Sequence, residues 1–356
     1  MTQRSGILAA GNMLVDHVHC IDQWPQPGWL VEIVSSEKAT GGAPLNVLLT
    51  LAKMQTGLPL AAAGLLGEDS DGDYICRNLD HFHVDRTAVR RSALAGTSMS
   101  LVMTQKSGQR TFFHAPGANR LLDLDAFETL QTTHRIFHLG YLLLLDRLDS
   151  PDPAFGTRSA RLLAQMRQRG YHTSLDLVSR QGDPRFQTRV LPALRWLDYL
   201  VINELEAGEF TGLALRDAGG CLDAGKLTGA AHQLHRLGVR RRVVIHAPEG
   251  AYGLDESGEG LWLPSWPLAA RDIVGSVGAG DAFCAGVLYA SHESWSLAET
   301  LELAHACARF NLLCANAIDG ARPLTEVKAF IERARSGDIP GAGSGGERGL
   351  RPDDVR

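Results

Sequence analysis

The stretch Gly275-Ser276-Val277-Gly278-Ala279-Gly280-Asp281-Ala282-Phe283 follows the apolar pair Ile273-Val274 and runs into Cys284–Ala290, a series of small and apolar residues. A glycine-rich turn opening a helix leaves the first N–H groups of that helix without carbonyl partners, with the helix dipole behind them. Such a turn suits a phosphate-bearing ligand. It is not a dinucleotide-binding fingerprint, because Phe283 stands where a third small residue is needed, and not a Walker A loop, because no Lys-Ser/Thr pair follows. Asp281 is open to two readings: an N-cap that only starts the helix, or an acid–base group beside the ligand.

Outward from this turn, short apolar runs alternate with longer amphipathic ones. Ile7 to Ala10 reads as a strand and Leu45 to Met54 as a helix; Leu60 to Leu66 and Asp73 to Phe82 repeat the pair. The alternation resumes with Arg135 to Leu139, Arg158 to Gln168, His172 to Leu177, Tyr199 to Ile202, Gly229 to Leu237 and Arg242 to His246. That order predicts an α/β fold, a parallel sheet covered by helices on both faces. Val31 to Ala39 and Thr97 to His114 break the pattern, and Lys106-Ser107-Gly108-Gln109 supplies a turn inside the second. These segments predict a β-hairpin and a small sheet outside the main domain, placed to act as a lid that excludes water. From about Ser336 to Arg356 the chain turns to Gly, Ser and charge, which predicts a disordered tail.

With 44% hydrophobic and 21% charged residues and a formal charge of −5, basic and acidic residues interleaved, the chain lacks the basic face of a nucleic-acid binder. The apolar run around Tyr141 to Leu145 is too short to span a bilayer, and Ile7–Ala10 too short for a secretory leader. Six cysteines without a C-x-x-C pair read as buried reduced thiols. The expectation is a cytoplasmic protein acting on a small molecule, with no nucleic-acid or membrane partner.

Five motifs, in chain order, resemble those of the PfkB/ribokinase family of carbohydrate kinases. The stretch Gly275–Phe283 is similar to the family's D-T-x-G-A-G-D-x-F, and Gly41-Gly42-Ala43-Pro44-Leu45-Asn46-Val47 to its G-G-x-x-x-N. Gly64-Leu65-Leu66-Gly67-Glu68-Asp69 with Gly72, then Gly117-Ala118-Asn119, then Asn203-Glu204-Leu205-Glu206 complete the set. The resemblance covers roughly residues 6 to 335 and implies a ribokinase-like three-layer α/β/α sandwich with a small β-sheet lid, from about 13–42 and 96–118, in a kinase domain of residues 1–335.

The resemblance further implies ATP and Mg²⁺ as cofactors and a sugar as acceptor. Asp281 would be the base that takes the acceptor's proton, and the amides of Gly278, Ala279 and Gly280 would stabilise charge on the phosphoryl oxygens. Asn203 and Glu206 match the motif that orders Mg²⁺ and its waters. Asp16, Gly42, Asn46, Asn12 and Arg180 fall at sugar-contacting positions, and Asn203, Ala247 and Gly250 on the nucleotide side. The form Gly41-Gly42-Ala43-Pro44-x-Asn46 looks like that of fructokinase-like members and favours a ketose or related sugar. A nucleoside kinase of the same fold, or a sugar or nucleotide sensor without catalysis, are the alternatives. An apolar lid face would be buried by a second lid, which predicts a homodimer.

The chain departs from the family pattern at two places. Gly275 replaces an aspartate associated with a monovalent-cation site, and Ile245-His246-Ala247-Pro248-Glu249-Gly250 replaces T-x-G-x-x-G. Asp69-Ser70-Asp71-Gly72-Asp73 hints at a calcium loop but has Tyr74 where an EF-hand needs glycine. His81-Phe82-His83 reads as a helix end, and His246 as a satisfied core residue on a strand.

Overall fold

The protein is described by a computed structural model over residues 4–105, 109–178 and 184–338. The candidate Arg180, the turn Lys106–Gly108 and the expected tail from residue 339 onward lie outside the described residues.

Alternation of buried side chains along each strand builds the main sheet. In β1 (Ile7–Gly11), Leu8 and Ala10 enter one core while Ile7 and Ala9 enter the other. The same division holds for Phe137 and Ile136 of β8 (Ile136–Leu142), Leu200 and Val201 of β12 (Tyr199–Asn203), and Val243 and Val244 of β13 (Arg242–Ala247). A strand apolar on both faces must be covered on both, which makes three layers. Against one face pack α1 (Ala43–Lys53), α2 (Ser70–His81), α7 (Ala279–His292), α8 (Leu297–Leu312) and α9 (Leu324–Arg335). Against the other lie α3 (Asp125–Glu128), α4 (Arg158–Gln168), α5 (Glu204–Thr211) and α6 (Ala224–Arg236).

With β4 (Leu60–Gly67), β5 (Asp85–Ser92), β11 (His172–Leu177), β14 (Gly250–Asp255) and β15 (Gly260–Pro264), the sheet has nine strands in the order β15-β14-β13-β12-β11-β8-β1-β4-β5. Seven strands run parallel, but β13–β14–β15 is antiparallel, so the sheet is mixed rather than the parallel one expected. The reason is local: the two-residue turn Pro248-Glu249 folds the chain directly back on itself, leaving no room for a crossover helix.

A second sheet, β3-β2-β6-β7, is formed by β2 (Leu14–Ile21), β3 (Ile33–Gly41), β6 (Ser98–Gln105) and β7 (Arg110–Ala115). Its roots are fastened by side chains of the sequence motifs. Asp69 caps α2 through Gly72 N–H at 2.9 Å and accepts from Thr97 N and Oγ1 at 2.6 and 2.7 Å. Asp71 accepts from His17 and Lys38 at 2.7 and 2.8 Å, so the calcium-like stretch ties the two sheets together. Asn119, fully buried, donates to Met13 O at 2.8 Å. A short ladder, β9 (Pro151–Asp152) with β10 (Gly156–Thr157), leads into α4. None of the cysteines is paired; Cys284 and Cys307 are buried, whereas Cys20 and Cys221 are exposed and depart from the buried-thiol expectation. Among the described residues, no helix is long and apolar enough to cross a membrane.

Candidate active site

The motif residues meet at the carboxyl ends of the central strands, where open α/β sheets bind ligands. Asn12 follows β1, Asn203 ends β12, and Tyr141, Asp176 and His246 are next to last in β8, β11 and β13. The amino end of α7 faces them across a cavity of about 190 Å³ lined by Tyr141, Asp176, Asn203, Glu206, Gly280 and Asp281, among others.

The helix starts on Gly278, whose φ of 78° is left-handed backbone that glycine adopts without strain, and no side chain caps it. A Cβ there would also meet Ala317 at 2.5 Å. Asp281 therefore is not the N-cap; it lies in the first turn with its carboxylate turned into the site. Asn46 Nδ2 donates to its Oδ2 at 2.7 Å and Tyr141 OH to its Oδ1 at 3.0 Å. A side-chain hydrogen bond also joins it to Asp176. Burial pushes the Asp281 carboxyl above its ordinary range while these bonds pull it back. Asp176, buried beside Asp281 and Glu206, is pushed well above the carboxylate range and holds the proton of the pair. The N–H groups of Gly280 and Asp281 have no backbone acceptor among the described residues, whereas Ala279 N–H reaches Ser276 O at 3.3 Å.

On the side facing the second sheet, Gly42 has φ 89°, and a Cβ on it would lie 2.0 Å from Asn12 O and 3.3 Å from Asn12 Oδ1. A Cβ on Gly41 would lie 2.5 Å from Asp16 Oδ2, and Ser100 hydrogen-bonds the carboxylate. Burial, opposed by Ser100 and reinforced by the nearby Asp281 charge, raises the Asp16 pKa to about 6. Asn12 Oδ1 and Nδ2 and Asn46 Oδ1 are buried with no protein partner. Buried polar atoms of this kind are costly unless something hydrogen-bonds them, so this cluster is suited to a polyhydroxy ligand. The structure thus brings together Asp16, Asn12, Gly42, Asn46 and Asp281.

On the other side of the α7 turn lies a larger cavity of about 660 Å³, lined by Ala247, Pro248, Trp266, Phe283, His305 and Arg309 among others. Its size and its mix of apolar walls with the free N–H groups of α7 fit a nucleotide. Gly250 is not in that wall; it starts β14, where a Cβ would strike Leu263 O and Trp262 at 2.5 Å. Arg216 joins Glu204 and Glu249 at 2.7 and 2.6 Å at the rim. Asn203 Oδ1 accepts Glu206 N–H at 2.9 Å, and Glu206 Oε2 accepts Asn203 N–H at 3.1 Å, a capping box at the start of α5. Both residues still line the catalytic cavity, and their oxygen donors fit Mg²⁺ held through water.

Three residues at this centre escape the sequence reading. Tyr141 is hidden in an apolar run, Asp176 stands out only as a neighbour of Arg180, and His246 reads as core. His246 is instead half-buried with its ring open to both cavities. A polar residue next to last in each of β8, β11 and β13 is the available signal.

A fold of this kind with a glycine-rich helix start over a buried carboxylate defines a class of phosphotransferases. The pfkB family carbohydrate kinase profile matches residues 6–323, and the chain belongs to that family of ATP-dependent kinases. It is 25% identical over 350 residues to fructokinase-1 of Zea mays, covering 93% of this chain and 99% of that protein. It is 22% identical over 331 residues to the ribokinase of Haemophilus influenzae, covering 93% and 100%. Among solved structures, that of Arabidopsis thaliana ribokinase complexed with ribose and ATP superposes with a TM-score of 0.75 at 23% identity, over 92% of this chain and 99% of that one.

Proposed function

We propose that this chain phosphorylates a hydroxyl of a ketose or related sugar from ATP, with Asp281 as the base. The observation that carries the reading is the position of Asp281 between two pockets of opposite character. One holds the buried, unpartnered atoms of Asn12 and Asn46, and the other opens on the free N–H groups of α7. Asp281 removes the acceptor proton as the oxygen attacks the γ-phosphorus, the bond to the bridging oxygen breaks and ADP leaves with that electron pair, and the Gly280 and Asp281 N–H groups stabilise the charge that gathers on the phosphoryl oxygens. Asn46, bonded to Asp281 in this structure, is within reach of a vicinal hydroxyl. Asn203 and Glu206 would hold Mg²⁺ through its waters; the ion neutralises phosphate charge. Fructokinases and ribokinases among the relatives support a sugar acceptor.

Mg²⁺-dependent ADP release across ketoses, aldoses, phosphosugars and nucleosides tests this. One strong free-sugar substrate is expected; a nucleoside substrate alone would overturn the sugar assignment, and silence with every acceptor would overturn the kinase reading.

The second sheet acts in this proposal as a lid and as the dimer surface. Ile33, Val34 and Phe113 are exposed on it, Trp24, Trp29 and Leu30 on the loop joining β2 to β3, and Trp24 stacks on Phe113 with ring centroids 6.1 Å apart. Sedimentation at micromolar concentration should give a dimer that Trp29→Glu dissociates; a wild-type monomer would refute it.

A further inference from the structure

The nucleotide-side cavity and the catalytic cavity share three wall residues, Asn203, His246 and Gly280. A phosphoryl group passing from the first to Asp281 must pass between them. Gly280 offers a backbone N–H, and Asn203 Oδ1 is an acceptor that receives the Glu206 N–H at the start of α5. The third residue is an imidazole.

The ring is held in place. It stacks on Phe283 with centroids 4.8 Å apart and planes tilted by 34°, and Phe283 is in turn packed edge-on by His305 at 5.2 Å. Its Cε1–Nε2 edge faces the first turn of α7: a Cβ on Gly280 would lie 3.7 Å from Cε1 and 3.9 Å from Nε2. No hydrogen bond to the ring is formed among the described residues. Packing alone would be served by any flat side chain, and a leucine or phenylalanine would avoid leaving ring nitrogens without partners beside a cavity.

We infer that His246 is a phosphoryl-contacting residue, its ring N–H donating to an oxygen of the transferring phosphoryl group alongside the Gly280 N–H. This rests on the kinase reading above. An imidazole keeps at least one ring N–H in either protonation state, so the donor is available to a phosphoryl oxygen without any titration of the ring.

The test compares wild type with His246→Phe, which keeps the stack on Phe283 and removes the donor, and His246→Gln, which restores an N–H at similar reach. Calorimetric titration in Mg²⁺ uses AMP-PNP, which carries the terminal phosphoryl group, and ADP, which lacks it. His246→Phe is expected to weaken AMP-PNP by roughly 10-fold and ADP by less than about 2-fold, with His246→Gln recovering most of the loss. Thermal melts check folding, and His246→Leu replaces the Phe variant if the latter does not fold. An unchanged AMP-PNP affinity, or an equal loss for both nucleotides, would overturn the assignment. In turnover, kcat should fall by about 10- to 100-fold while the acceptor KM stays within about 2-fold. Wild-type silence on every acceptor would sink the kinase reading instead, and the AMP-PNP against ADP comparison would still decide the role of His246.

Discussion

Tyr141→Phe isolates one of the hydrogen bonds that hold the Asp281 carboxyl toward its ionised form, the form the proposed base requires. Tyr141 OH donates to Asp281 Oδ1 at 3.0 Å, and phenylalanine removes that bond while filling the same space. A hydrogen bond to an ionised group contributes about 1.5–3 kcal/mol, and one pKa unit corresponds to about 1.4 kcal/mol. Losing it should therefore raise the Asp281 pKa and cost the ionised form roughly 10- to 100-fold in population on the acid side. The sign follows from the chemistry: Asp281 must be ionised to take a proton, so activity rises with pH through its pKa, and a higher pKa moves the acid limb to higher pH. The assay is kcat/KM for the best acceptor between pH 5 and 9 at saturating ATP. On the acid limb the variant should run about 10- to 100-fold below wild type, with the difference shrinking to a few-fold on the alkaline plateau. A variant reduced equally at every pH, with the limb unmoved, would show that Tyr141 shapes the pocket without tuning the carboxylate.

Asp281→Asn should keep the fold and acceptor affinity and lose about 10²–10⁴ in kcat; near-normal turnover would refute its role as base. Glu206→Gln should raise the Mg²⁺ concentration for half-maximal activity by about 10-fold, and an unchanged Mg²⁺ titration would leave Glu206 only the capping role. Asp16→Asn should abolish acceptor binding and at the same time stabilise the fold. The folded-state pKa of Asp16 is about 6 against 3.8 for the free group, so its contribution to stability is complete at acid pH and is lost as pH rises through 4 to 6, up to about 3 kcal/mol. The Asn variant should accordingly melt above wild type at pH 8 and level with it at pH 4.

The sequence is most legible where structure is local. Arg158–Gln168 and His172–Leu177 form the helix and strand that periodicity marks, end for end. The edges are less so. β5 carries Asp85, Arg86, Arg90 and Arg91 because an edge strand is guarded by charge, and that charge hides its strand character. The direction of β14 and β15 is set by a turn, which residue periodicity does not encode. Within the site, Asp281 and Gly278–Gly280 are contiguous and can be read as one motif. Tyr141 comes from 140 residues away, and only the sheet order brings β8 and β11 together beneath the start of α7. His246 was legible in position, as the last polar residue of a strand, but not in direction: only the packing of α7 and α8 on that face decides whether its ring meets core or cavity.

Three carboxyl groups, Asp16, Asp176 and Asp281, converge here, and burial raises all three. Like charges in a low-dielectric site resist ionising together, so where the proton resides depends on which group has donors aimed at it. Asp281 receives Asn46 N–H and Tyr141 O–H, and Asp16 receives the Ser100 side chain. Among the described residues Asp176 accepts only Leu177 N–H, at 2.7 Å, and otherwise faces the charges of Asp281 and Glu206. The proton therefore stays on Asp176, which donates it to Asp281 as one more stabilising bond, and negative charge is left on the two carboxylates nearest the acceptor pocket. A buried aspartate would ordinarily be protonated, and so a poor base, at neutral pH; a proton held by Asp176 instead would leave Asp281 free for the proposed role.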